Sequence, residues 1–307
     1  MKTQKNSFVE AVILGTLGLL VLLTLLIPQL MRDRRDTRLL SLSVLLRDTD
    51  SSNWNVARQG MEQAADELGA ELRFLTLTVQ NDTKEQEEIL RREVEGGADA
   101  LIAVPANPEA LCAALNRLPD ACPMIMLEVS AEDGAAAVAP DNEELGRKLA
   151  ETLLEDWNSG KVLLLDNSAA CPEVRIRLEA AREVLAASNV PAIEINALPD
   201  YRVPTRWAMT FEDGATRQAV ENKETQGQVF ALYGVGSSTS VTSQLEKGNI
   251  TAVAAWSDYA AGYLAVQQAV QAIENRIQEL DPLPFSIVRG EDIYAPENQK
   301  LLFPVTS

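Results

Sequence analysis

The chain has 307 residues, 46% of them apolar, no histidine and a net charge of −18. That apolar content is enough to build a core, and the length allows one large core or two linked lobes. The acidity argues for solubility and excludes a nucleic-acid binder, which needs a basic footprint, while the lack of histidine excludes Ser-His-Asp and Cys-His nucleophilic sites and removes the commonest metal ligand.

The first 38 residues read as a signal anchor and joint. Residues 11–31 (AVILGTLGLLVLLTLLIPQLM) carry no charge, long enough to cross ~30 Å of hydrocarbon as a helix. The run leads into Arg32-Asp33-Arg34-Arg35 with no A-x-A pattern and no following cysteine. An uncleaved transmembrane helix is therefore expected, rather than a cleaved signal peptide or a lipid anchor. Lys2 and Lys5 flank one end, and Arg32, Arg34, Arg35 and Arg38 the other. Taken alone, the positive-inside rule leaves the body in the cytoplasm.

From residue 39 onward short apolar runs alternate with helical patterns. The strand candidates are 39–46, 71–77, 101–104, 124–129, 135–139, 161–166, 192–196, 208–211, 229–234 and 251–256. Most are continuous apolar runs, as expected of strands buried on both faces. Helices are expected at 55–69, 83–97 (ending on a glycine pair), 142–157, 173–188 and 259–277. Strand, helix and strand at ~25–30 residue spacing predict βαβ units and a parallel sheet. Cys112, Cys122 and Cys171 lack CxxC spacing, so no zinc site is expected. Cys112 and Cys122 flank a short predicted helix and are either disulfide partners or buried thiols.

In such sheets ligands sit off the carboxyl ends of the strands. The tips carry Asp48, Asp50, Ser51, Asn53 and Trp54 after the first strand, and Gln80, Asn81 and Asp82 after the second. Further tips bring Glu128, Asp141 and Asn142, Asp166 and Asn167, Glu212 and Asp213, then Trp256 and Asp258, with Arg175 and Arg177 on the helix at 173–188. Taken singly, Asp, Asn and Ser at such places form turns and cap helices. Taken together, carboxylates, amides and indoles suit a polyhydroxylated ligand, whose hydroxyls pair with the polar groups and whose C–H face packs on an aromatic ring.

Four stretches carry a resemblance. LSVLLRDTDSSNWNVARQGMEQAADELGAEL, NDTKEQEEILRREVEGGADALIAVPANPEAL, CPMIMLEVSAEDGAAAVAPDNEELGRKLAE and GKVLLLDNSAACPEVRIRLEAAREVL together resemble the ribose-binding type of the type I periplasmic binding protein family. The resemblance implies an α/β fold of two Rossmann-like lobes with parallel sheets and a hinged interlobe cleft. The first lobe is expected at 39–140 plus 257–283, the second at 141–256 plus 284–307. It implies ligand contacts from Ser51 and Trp54, from Asn81 or Asp82, and from Glu128, Arg177 and Glu212, with Asp213 following; Asp50 and Trp256 complete the expected set. Val129, Val235 and Trp256 stand where ribose-type proteins carry an arginine, an aspartate and a glutamine, so the implied pocket loses a cation and a carboxylate and gains an indole. The helix expected between 192–196 and 208–211 is nearly absent.

The family's anchored members are extracytoplasmic, which overrides the charge rule. The expected protein is a single-pass, extracytoplasmic solute receptor for a sugar or similar small polar ligand, with no cofactor and no metal. It would close its lobes and present the ligand to an ABC permease or a membrane sensor kinase. Two other readings are weaker. Glycoside hydrolysis would need Asp48 with Asp50, or Glu212 with Asp213, but neighbours on one loop rarely face opposite sides of a sugar. A structural protein with a vestigial cleft is the other.

Overall fold

The computed structural model describes residues 38–130, 135–169, 171–196, 205–276 and 280–303. The span expected at 11–31 lies outside the described residues, as does most of the stretch between 196 and 208. Among the described residues no helix is long and apolar enough to cross a membrane.

The first lobe starts with β1 (Leu40–Leu45), a 3-10 turn (Ser52–Trp54), α1 (Asn55–Leu68) and β2 (Ala70–Leu75). It continues through α2 (Thr83–Glu95), β3 (Ala100–Ala103), α3 (Pro108–Asn116), β4 (Met124–Leu127) and β5 (Ala136–Val138). The strands are all parallel, in the order β2-β1-β3-β4-β5. β3 and β4 are buried at every position, because helices cover both faces of a parallel sheet. Local chemistry fixes the helix starts: Asp82 accepts from the amides of Lys84 and Glu85 to cap α2, and Asn107 caps α3 ahead of Pro108.

The second lobe comprises α4 (Asn142–Asp156), β6 (Val162–Leu165), α5 (Glu173–Ala187), β7 (Ala192–Ile195) and β8 (Trp207–Met209). After these come α6 (Asp213–Thr225), β9 (Ala231–Val235), α7 (Thr239–Glu246) and β10 (Ala252–Trp256). α8 (Asp258–Ile273) then crosses back to pack on α1 and on β3, β4 and β5 of the first lobe. β11 (Phe285–Arg289) returns to the second sheet, followed by α9 (Pro296–Leu302). The order there is β11-β10-β9-β8-β6-β7, with β11 alone antiparallel.

The chain thus passes between the lobes three times: between β5 and α4, between β10 and α8, and between α8 and β11. The first and third passages are tied together by a bridge between Pro140 and Leu283, in which the Leu283 amide donates to the Ala139 carbonyl at 2.9 Å.

Several elements differ from the sequence reading. β11, α6, α7 and α9 were not anticipated. Cys112 lies inside α3 rather than at its edge, and neither it nor Cys122 is in a disulfide, one being buried and the other half-buried. The glycine pair ends α2 as expected, with Gly97 taking the left-handed backbone (φ 83°).

α4 and α5 pack unusually closely. A Cβ on Gly146 would sit 2.1 Å from the Arg177 carbonyl oxygen, a backbone atom that cannot rotate away. Gly146→Ala would raise intrinsic helix propensity, yet it is expected to destabilise the protein by about 1–3 kcal/mol through overpacking. A chemical-denaturation midpoint below wild type checks this.

Candidate functional site

A cavity of about 130 Å³ lies between the lobes at the strand tips. A cavity of roughly 150 Å³ accommodates benzene, so this one is scaled to a single six-membered ring.

The wall from the first lobe is built on Arg47, two residues beyond β1 and only 8% exposed. Its Nη2 donates to Glu128 Oε2 at 2.9 Å. Desolvation opposes the Arg47 charge, but the facing Cys171, Glu128, Asp48 and Glu212 outweigh it and hold the guanidinium above its ordinary value. Burial pushes the Cys171 thiol up, so at neutral pH the carboxylates carry that attraction. Asp48 accepts from Trp54 Nε1 at 2.7 Å and from Gln80 Nε2 at 3.3 Å, which fixes the indole against the cavity. Glu128 adopts a left-handed backbone (φ 67°), a strained conformation for a residue with a side chain. Its amide donates to the Val138 carbonyl at 3.1 Å and its carbonyl accepts from Asn142 Nδ2 at 3.2 Å, so both sides of the kink are pinned.

The opposite wall centres on Arg177, in the second turn of α5 and 2% exposed. Its Nε donates to Asn142 Oδ1 at 2.7 Å and its Nη1 to the Phe211 carbonyl at 2.8 Å. Its guanidinium carbon stands 5.3 Å from the Trp256 ring centroid, a cation–π arrangement. Glu212 caps α6, accepting from the amides of Gly214 and Ala215 and from Asn167 Nδ2 at 2.6 Å. Asp213 accepts from Arg217 Nε at 2.8 Å. At the start of α8, Asp258 accepts from Ser237 Oγ at 2.8 Å. It lies deep in the cleft while keeping part of its surface open to the cavity. Desolvation, with added repulsion from Glu128 and Asp213, pushes its carboxyl up to about 7 against the pull of the Ser237 hydrogen bond.

Two guanidinium nitrogens in this cleft are buried without a hydrogen-bond partner, Arg47 Nη1 and Arg177 Nη2, and so is Asn167 Oδ1 beside it. A buried donor left unmatched costs roughly 1–3 kcal/mol, more when charged. The two arginines reach the cavity from different lobes, so a ligand with acceptor oxygens between them would satisfy both. Among the described residues no group of Cys, Asp and Glu is arranged to hold a metal ion.

Of the ten residues expected at the site, Trp54, Glu128, Arg177, Glu212, Asp213 and Trp256 line the cavity. The other four do not. Asp50 accepts from Ser52 to form the 3-10 turn, and the Ser51 carbonyl accepts from the Trp54 amide. Asn81 takes a left-handed backbone (φ 60°) with its amide bonded to the Arg47 carbonyl, and Asp82 is the α2 cap. Arg47, Cys171 and Ser237 were not anticipated, while Asp48, Asn53, Gln80 and Asp258 were seen as tip residues but left out of the expected set. Val129 and Val235 are fully buried in apolar clusters and do not line the cavity, whereas Arg47 and Asp258 do.

The sequence matches the profile described as "Periplasmic binding protein domain" over residues 42–277. A comparison with curated proteins finds no match. Among solved structures, an Agrobacterium vitis ABC transporter solute-binding protein bound with α-D-tagatopyranose has a TM-score of 0.75 at 18% identity, covering 86% of this chain and 99% of that one. A Caulobacter myo-inositol binding protein bound to myo-inositol gives 0.73 at 17% identity, with coverages of 85% and 97%. The XylFII-LytSN complex gives 0.70 at 15% identity, with coverages of 83% and 99%.

Because Asp258 holds its proton more tightly in the folded protein than in the unfolded chain, its contribution to stability is full below the ordinary carboxylate range and is lost as pH rises through about 7. Asp258→Asn should therefore melt above wild type at about pH 8 and together with it at about pH 4. Equal melting temperatures at the higher pH would show that burial of this carboxylate carries no such penalty.

Proposed function

The chain belongs to the periplasmic binding protein family, and from that premise we propose that it is a membrane-tethered, extracytoplasmic receptor for a sugar or similar small polar ligand, which it presents to an ABC transporter. The observation that carries this reading is that two buried arginines, Arg47 and Arg177, line one ring-sized cavity from two lobes, each with one guanidinium nitrogen that has no protein partner. A ligand that bridges them favours the closed arrangement over an open one, and only such differential contact can shift the equilibrium between the two. Trp54 and Trp256 supply aromatic surface for the C–H face of a ring. The bound ligands of the tagatopyranose and myo-inositol structures are uncharged, ring-sized polyols, matching the cavity in size and polarity.

No reaction is proposed. Asp48 has both oxygens engaged by Trp54 and Gln80, and Glu212 is engaged by a helix end and Asn167, so neither is positioned as a free acid or base. The uncharged run at 11–31 supports the tether, and the family's anchored members support an extracytoplasmic body. A chain of this fold solved as the XylFII-LytSN complex supports a second reading, in which the closed form docks on a membrane sensor kinase.

Thermal melting of the full chain in detergent against D-tagatose, D-arabinose, D-fucose and myo-inositol tests ligand capture. A ligand at 100 times its Kd adds ~2.7 kcal/mol to stability, and Trp54→Ala should reduce that gain while leaving the ligand-free protein folded. An unchanged gain would remove Trp54 from the binding surface. The tether is tested by fractionation: full-length protein should stay with membranes after an alkaline wash, and protease added outside the cytoplasmic membrane should degrade the body. Protection of the body would place it in the cytoplasm.

A further inference from the structure

We propose that the cleft selects a hydroxylated amine, such as an amino sugar or an aminocyclitol, with its ammonium between Glu128 and Asp258 and its oxygens on Arg47 and Arg177. This rests on the receptor reading above and names the ligand class for the same cavity.

Among the described residues, five carboxylates and three guanidiniums line the cavity. Two of these carboxylates are matched by cations, Glu128 by Arg47 and Asp213 by Arg217. Asp48 and Glu212 have several neutral donors each. Asp258 has the single hydroxyl of Ser237. Glu128 from the end of β4 and Asp213 from α6 line the same cavity, and their charges disfavour that of Asp258. Their own cations, Arg47 and Arg217, are already committed to them. A negatively charged ligand would add to this excess, a neutral one would leave it, and a ligand ammonium would offset it.

A simple amine or inorganic cation does not complete the site. Arg177 and Arg47, 2% and 8% exposed, both line this cavity, and each keeps a buried N–H without a protein partner. Those donors require oxygen acceptors, so the ligand must carry hydroxyl or ether oxygens together with the positive charge. Binding then has a proton signature. The ammonium keeps its own proton and favours ionised Asp258, which releases its proton to the buffer near neutral pH.

Calorimetric titration of the full chain in detergent at about pH 6, where the sugar amines are charged and Asp258 still largely holds its proton, with D-glucosamine, D-galactosamine, D-glucose, D-galactose and D-galacturonate tests this. An amino sugar should bind about tenfold or more tighter than its neutral parent, since a partly buried charge pair outweighs a hydroxyl contact. Its binding heat should vary with buffer ionisation enthalpy in the sense of proton release. Asp258→Asn should weaken amino-sugar binding at least tenfold more than parent-sugar binding and should abolish the proton release. Neutral sugars binding as tightly as amino sugars, tighter binding of galacturonate, or net proton uptake would overturn the assignment and leave the receptor reading intact. Failure of every sugar in this titration and in the melting panel would overturn both.

Discussion

The arrangement depends on burying the Arg177 guanidinium without an ionic partner. A charge taken out of water is costly unless hydrogen bonds replace its hydration. Here the replacement is made by neutral groups: the Asn142 side chain, the Phe211 carbonyl and the face of Trp256. Each comes from a different part of the second lobe, so keeping the cation satisfied fixes α4, the end of β8 and the end of β10 relative to α5. Asn142 extends the network, because its amide donates to Glu173 and to the Glu128 carbonyl of the first lobe. Glu128 in turn holds Arg47. One chain of hydrogen bonds thus runs between the two arginines, and strain at Glu128 is absorbed within it.

Much of the fold was legible because parallel strands covered on both faces must be apolar along their length, and β3, β4, β6 and β10 are of that kind. β11 escaped notice because it is an antiparallel edge strand that keeps much of its surface half-buried. α6 escaped because only Ala215, Thr216, Ala219 and Val220 face inward, too small a stripe to stand out among thirteen residues.

The site was legible to the extent that strand tips point at the cleft. That rule points to Trp54, Glu128, Glu212, Asp213 and Trp256, which line the cavity, while Arg177, inside α5, was implied by the resemblance. It failed at Asp50 and Asp82 because the acceptor chemistry that binds a hydroxyl also binds a backbone amide in a turn or helix cap. Val129, which the resemblance marks as a departure from the ribose-type pattern, packs in the core, while Glu128 beside it lines the cavity. Arg47 was hidden by position, since it follows an apolar run where a charge reads as the end of a strand.

The bridge between Pro140 and Leu283 has a mechanical consequence. Two passages that are far apart in sequence run side by side in the same direction and share a backbone hydrogen bond. Twisting one drags the other, so sliding of the halves past each other is penalised while swinging about a shared axis is not. The pair behaves as a laminated leaf spring, and its stiffness sets how much of a ligand's interaction energy is spent in bending it.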